Sequence, residues 1–170
     1  MCKLRHFLPE KTLLLLYNSL VLPYISYCNI VWANSYSSTN PIILLQKKAI
    51  RICAGADYRA HTDPLFYKQN LLKVFDIHFL QTAIFMFRYN LNRLPLYFMN
   101  MFQFNKQIHS YSTRHATNIH LSNPRTLLAH KSIRHSGPDV WNSLSSEIRG
   151  TRSLYSFKQS VKNMLFTSYE

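Results

Sequence analysis

Residues 76–93, DIHFLQTAIFMFRYNLNR, decide the fold class. Ile77, Leu80, Ile84, Phe87 and Leu91, continued by Leu94, recur at the three- and four-residue steps of one helical face. Phe79, Phe85, Met86 and Tyr89 place further apolar side chains on other faces. A helix that is apolar nearly all round belongs at the buried centre of a bundle. Asp76 suits the N-cap, and Pro95 ends the helix because it has no N–H and its ring clashes with the preceding turn.

The segments before it repeat the helical pattern. Residues 8–22 read as a helix, with Pro9 and Glu10 in the first turn and Leu13, Leu16, Tyr17, Leu20 and Val21 at helical spacing. Pro23 marks a break or kink. Residues 24–32 form a second helix with Tyr24, Tyr27, Cys28 and Val31 on one face, and residues 34–41 a polar connection. Residues 42–54 make a third helix, with an apolar stripe of Leu45, Ala49, Ile52 and Cys53. Lys47, Lys48 and Arg51 share another face of it, because residues three and four apart are neighbours on a helix. Asp63 caps a further helix with Pro64 in its first turn.

Beyond residue 105, Ser, Thr, Asn and His become frequent. Residues 111–121 and 127–135 read as extended segments, Gly137-Pro138 as a turn, and residues 153–166 as a closing helix capped by Ser153. Leu154, Phe157, Val161, Met164 and Leu165 line one side of that helix. The expected fold is mostly α: a helical thumb-like bundle over 1–104, then a small mixed α+β or irregular C-terminal extension over 105–170 closed by a helix.

Composition narrows the function classes. The chain has 170 residues, 47% of them hydrophobic, which is enough to bury a core and argues against disorder. Only 3 residues are Gly, and neither a G-x-G-x-x-G nor a Walker-type phosphate loop is present. Twenty Lys and Arg against seven Asp and Glu give a net charge of +13, a sign that attracts nucleic acid or acidic lipid. Cys2, Cys28 and Cys53 are widely spaced and odd in number, which fits a reducing compartment without disulfides. Residues 1–9 have no apolar signal-peptide core. Residues 12–46 lack any Lys, Arg, Asp or Glu, yet Asn18, Ser19, Pro23, Ser26 and Asn29 interrupt the run before a membrane span accumulates. Core helices, and no membrane partner, are expected.

Four stretches then carry a family resemblance: LYNSLVLPYISYCNIVWAN (16–34), LLQKKAIRICAGADYRAHTDPLF (44–66), YSTRHATNIHL (111–121) and SIRHSGPDVWNSL (132–144). Together they resemble the thumb and post-thumb region of LINE-type non-LTR retrotransposon reverse transcriptases, of the jockey-like and chicken-repeat-like kind. The likeness runs over about residues 8–165. It implies that residues 8–54 correspond to a thumb and that the helix bearing Lys47, Lys48 and Arg51 lies along a template–primer duplex. It also implies intracellular work, in nucleus or cytoplasm, beside a palm domain of the same element.

Such polymerases place two metal ions between adjacent aspartates of the palm. No two acidic residues are adjacent in this sequence; the nearest pair is Asp57 and Asp63. The chain is therefore expected to be non-catalytic on its own, without a cofactor, and to read as a fragment or decayed copy. The different-class alternative is an inactive structural remnant that binds nothing specific, its apolar face shaped for a missing palm.

The candidate nucleic-acid-binding residues are Lys47, Lys48 and Arg51, extended by Arg59 and His61 in the following loop, and Arg114, Arg125, Lys131 and Arg134. The second group is interleaved with Tyr111 and several His, a mixture suited to structured or single-stranded RNA. Three phosphate contacts give a log–log salt slope of roughly −2.7 on duplex DNA. The bland reading of each cluster is a solvated basic face.

Other chemistries find less support. His109, His115, His120, His130 and His135 lack zinc-ligand spacing, and as strand residues His130 and His135 point to opposite faces, so no metal is expected. Pro138-Asp139 with Glu147-Ile148-Arg149 loosely matches a metal-dependent endonuclease pattern, but Arg149 stands where a Lys is needed and the acids are too close for two strands. No G-x-S-x-G is present. Cys28 and Cys53 read as core thiols, and Trp32 and Trp141 as packing anchors.

Overall fold

The computed structural model describes residues 4–108 and 114–169, with the backbone alone for Leu4 and for residues 36–38. Its elements are a 3-10 turn, Leu4–His6, and helices α1 (Glu10–Leu16), α2 (Leu22–Ser26), α3 (Asn29–Trp32), α4 (Tyr36–Cys53), α5 (Asp63–Lys68), α6 (Val74–Asn90), α7 (Leu96–Met99), α8 (Asn105–Ile108), α9 (Leu127–Lys131), α10 (Ile133–Ser143), α11 (Ser146–Arg149) and α12 (Leu154–Phe166). The fold is mostly α, and the described residues hold one isolated bridge, Phe104 to Ile119. No helix among them is long and apolar enough to cross a membrane. The chain forms two compact units: residues up to His78 with those from Met164 onward, and Phe79–Asn163.

In the first unit the long apolar run is not one straight helix. Between α1 and α2 the backbone widens into a π-helix, Tyr17–Val21. Pro23, which has no N–H to donate, then sits in the first turn of α2, the place where a helix tolerates it. The expected break at Pro23 is thus a wide turn that starts six residues earlier, and the actual break is Cys28, in the left-handed region at φ 47°. The face expected inside is outside: Tyr24, Tyr27 and Val31 are 82%, 76% and 80% exposed, and Cys28 is exposed too. Ile25 and Asn29 are buried instead, and Asn29 Nδ2 donates to the Ile25 carbonyl at 3.0 Å. Cys53 is a core thiol as expected; burial pushes it up to about 11.

α4 begins at Tyr36, so the polar connection expected over 34–41 is largely helix, with Pro41 inside it. Pro41 is exposed, where water can satisfy the carbonyl it frees. The buried positions are Thr39, Gln46, Ile50 and Cys53, with Ile52 at the margin, while Leu45 is 68% exposed. The inner face is therefore one position from the expected stripe and is centred on a polar residue. Gln46 Nε2 donates to Tyr17 Oη at 2.9 Å and to the Leu72 carbonyl at 3.0 Å. The Val74 N–H donates to Gln46 Oε1 at 3.1 Å. Both amide donors and the oxygen are used, which also fixes which way the carboxamide faces. Burial raises the pKa of Tyr17, and the Gln46 bond opposes it.

α5 starts at Asp63, with Thr62 in the capping position. Asp63 instead pairs with Lys73 Nζ at 2.9 Å. That ammonium also sits 4.2 Å from the centre of the Tyr169 ring. The Lys73 N–H donates to Tyr169 Oη at 2.9 Å, and the Tyr169 hydroxyl donates to Asp76 Oδ2. Asp76, assigned as a cap from the sequence, is thus an acceptor for the penultimate residue of the chain. Burial raises its pKa, more than the Tyr169 hydrogen bond and Lys73 lower it.

In the second unit Phe87 stacks on Phe157 with centroids 4.3 Å apart, and Trp141 lies 6.2 Å beyond. All three are buried, so Trp141 is a packing anchor as expected. On α12 Phe157, Val161 and Leu165 of the expected stripe are core, whereas on α6 only Ile77 and Phe87 of it are buried, and Val74, Ala83, Met86 and Tyr89 are buried in place of Leu80, Ile84 and Leu91. Gly137 and Pro138 are not a turn: they are buried inside α10. A Cβ on Gly137 would come within 2.7 Å of Met86 Sδ, so glycine lets α10 press against α6. Residues 127–135 are helical rather than extended; Thr126 Oγ1 caps α9 by accepting from the Ala129 N–H. Of residues 111–121, the first three lie outside the described residues; among the rest, Ile119 forms the antiparallel bridge to Phe104. Its N–H donates to Asn142 Oδ1 at 3.0 Å, and Asn142 Nδ2 donates back to its carbonyl at 2.8 Å. The carboxamide thereby acts as a one-residue β partner.

Two outcomes follow from these networks. Gln46→Leu keeps the volume but strands the Tyr17 hydroxyl, the Leu72 carbonyl and the Val74 N–H. Unfolding by urea should show a loss of about 2–4 kcal/mol; an unchanged midpoint would remove Gln46 from its structural role. Asp76→Asn tests the raised carboxyl. The folded state holds the Asp76 proton more tightly than the unfolded chain, so this group's contribution declines as pH rises from about 4 through its folded pKa. The unfolding free energy of Asp76→Asn relative to the natural protein should therefore rise between pH 4 and 7. A fall over that range would show that the Tyr169 hydrogen bond outweighs burial.

Candidate nucleic-acid interface

The basic face of α4 is real, but its members differ. Lys48 is exposed, whereas Lys47 and Arg51 are half-buried. Leu44, 61% exposed, lies on the same side of the helix. Arg51 Nε donates to the Ala60 carbonyl at 2.8 Å. That bond ties the helix to the following loop and aims the guanidinium without neutralising it, since a carbonyl carries no net charge.

Lys48 and Arg51 line a cleft of about 180 Å³ with Arg5, His6, Ile52 and Tyr58. Arg5 and His6 come from the 3-10 turn Leu4–His6, and Tyr58 from the loop after α4. The Tyr58 ring is 77% exposed. The cleft thus combines three cations, an imidazole and an open aromatic face. Cations suit phosphate oxygens, and a ring face suits an unpaired base.

Sequence reading found Lys48 and Arg51 but missed Arg5, His6 and Tyr58. The Arg5-His6 pair was visible as a basic dipeptide, but nothing in its spacing ties it to a helix forty residues away. Arg59, beside Tyr58, is exposed, and its backbone N–H donates to Asp57 Oδ1 at 2.9 Å, which shapes the loop. His61 is exposed as well.

The other candidates, Arg114, Arg125, Lys131 and Arg134, all lie in the second unit and are exposed. Arg125 precedes the cap of α9, Lys131 ends that helix, and Arg134 lies in the first turn of α10. Tyr111 and His109, read with them, lie outside the described residues. His130 and His135 do not point apart: with the segment helical, His130 Nδ1 and His135 Nε2 are 3.2 Å apart. His135 Nδ1 is 2.9 Å from the Ser122 carbonyl. Because a carbonyl only accepts, His135 carries its proton on Nδ1, and His130 is the donor between the rings when both are neutral. No group of three or more metal-ligating side chains occurs among the described residues. Asp139 lies in α10 and Glu147 in α11, so the carboxylates of the endonuclease pattern are not on strands.

No family model matches the chain, and neither a curated protein nor a solved structure is detectably similar to it.

Proposed function

We propose that this chain is a non-catalytic, nucleic-acid-contacting part of a LINE-type retrotransposon reverse transcriptase, corresponding to its thumb and post-thumb region. The cleft of Arg5, His6, Lys48, Arg51 and Tyr58 carries the proposal. Its mechanism is electrostatic: the cations displace counterions from the phosphate backbone of an RNA or a template–primer, and the Tyr58 ring stacks on a base beside it. Polymerisation belongs to a palm domain of the same element, since no adjacent acidic pair exists here to hold catalytic metals. The work is intracellular, in the nucleus or cytoplasm.

A specific observation favours the second reading, an inactive remnant. Leu15, Leu20, Tyr24, Tyr27 and Val31 are all at least 60% exposed, an unusual apolar load for a free surface. On that reading they are a face shaped for the missing palm, and the basic cleft has no client.

One experiment separates the two. Binding of the purified chain to an RNA hairpin and to a primer–template duplex is measured across a salt series, beside Arg5→Gln/Lys48→Gln. Arg51 is left intact because it also holds the Ala60 loop. The expected result is binding with a steep salt dependence, and on duplex DNA a slope about 1.8 units shallower in the double variant, at roughly 0.9 per lost phosphate contact. Absence of binding at low salt, or an identical slope in the variant, overturns the cleft and leaves the remnant.

A further inference from the structure

The second unit contains an open cavity of about 260 Å³ lined by Asn90, Phe104, Thr117, Trp141, Ser146, Arg149 and Gly150. Arg149 is half-buried and has no carboxylate partner among the described residues. Its Nη1 donates to Asn118 Oδ1 at 2.9 Å, and its Nε is enclosed without an acceptor. A cation taken partly out of water is costly unless an anion or a full set of hydrogen bonds compensates it. Here neither is present, and the uncompensated charge borders a cavity.

Asn118 is itself held. Its N–H donates to the His115 carbonyl at 3.0 Å, and its own carbonyl accepts from the Asn105 N–H at 3.0 Å. Its side-chain amide lies 3.3 Å from His115 Nδ1. The guanidinium is therefore anchored through one nitrogen to a braced neutral oxygen, which leaves its charge uncancelled. The Ser146 and Thr117 hydroxyls and the Asn90 amide add neutral polar groups around the same cavity, and no carboxylate is among the lining residues. Phe104 and the small accessible part of Trp141, which is 2% exposed, supply aromatic carbon. A guanidinium beside neutral polar groups and aromatic carbon fits a phosphorylated ring compound better than a bare inorganic ion.

We propose that this cavity binds a phosphate monoester carried on a nucleoside, with Arg149 as the charged contact and Asn118 as its positioning residue. The ligand is either a free mononucleotide or the phosphorylated end of a nucleic-acid strand. This site is independent of the basic cleft, and neither proposal requires the other.

The test uses the full chain carrying Arg5→Gln/Lys48→Gln, so that the cleft does not contribute. Amide and indole resonances are followed by NMR during titration with adenosine 5′-monophosphate, adenosine, orthophosphate, and a short oligonucleotide with or without a 5′-phosphate. The expected result is saturable shifts at the Trp141 indole and the Ser146 and Gly150 amides with the monophosphate, and at least ~10-fold weaker binding of adenosine. If the oligonucleotide binds there only when phosphorylated, the ligand is a strand end; if it does not bind, a free nucleotide. Arg149→Gln should weaken the monophosphate by about 10-fold or more, and Arg149→Lys should restore part of it. Absence of saturable shifts at those resonances up to tens of millimolar overturns the site whether or not any variant folds. Equal binding of adenosine and its monophosphate overturns the phosphate assignment.

Discussion

The carboxamide of Gln46 donates both of its N–H groups and accepts one, and its partners come from three places: Tyr17 at the end of the first helical run, and Leu72 and Val74 on either side of the entry to α6. A buried amide that loses its partners is costly, so this one favours a single rotation of α4 about its axis. With Gln46 inward, Ile50 and Cys53 are inward too, and Lys48 faces water. Turning α4 to bury Leu45 would unmake three hydrogen bonds at about 1–3 kcal/mol each, more than burying one leucine returns at about 1.5–3 kcal/mol. The basic cleft is thus a consequence of a neutral hydrogen-bond hub on the opposite side of the same helix.

That hub also explains why the helices were legible while their rotation was not. A periodic apolar pattern located α1, α4, α6 and α12. On α12 the apolar stripe is largely the inner face, whereas α6, apolar nearly all round, buries Val74, Ala83, Met86 and Tyr89 as well as Ile77 and Phe87 of its stripe. On α4 the inner face carries Thr39 and Gln46, and a hydropathy reading passes over both. The same reading fails at residues 24–31 for the opposite reason: Tyr24, Tyr27 and Val31 point out, while Ile25 is buried together with Asn29, which donates to its carbonyl. Hydrophobicity ranks side chains by what burial would gain. It does not register a polar side chain whose partners exist only in the folded chain.

The region after residue 105 was the least legible, and the cause is local. Residues 127–135 contain no strong helical periodicity, yet Thr126 caps α9 and the chain enters α10 two residues after α9 ends. Gly137-Pro138 has the composition of a turn, but Met86 sits where a side chain would have to go, and packing against it keeps the segment helical. Ile119 pairs with Phe104 through a single antiparallel bridge and with the Asn142 side chain, not with a full strand. Short elements held by single side chains leave little trace in a window of residues, because their stability comes from contacts distant in sequence.

The two guanidinium groups that matter most follow one rule. Arg51 is anchored on the Ala60 carbonyl and Arg149 on the Asn118 carboxamide, both neutral acceptors. The one ion pair among the described residues, Lys73 with Asp63, shows the contrasting case: there a carboxylate cancels the charge and the group serves the fold. An acceptor without net charge orients a guanidinium while leaving its field intact, so the energetic benefit of neutralisation is deferred to an incoming anion. With seven acidic residues against twenty basic ones, the chain has few internal anions to offer. Both sites proposed to take phosphate are places where a cation is fixed in direction but not in charge.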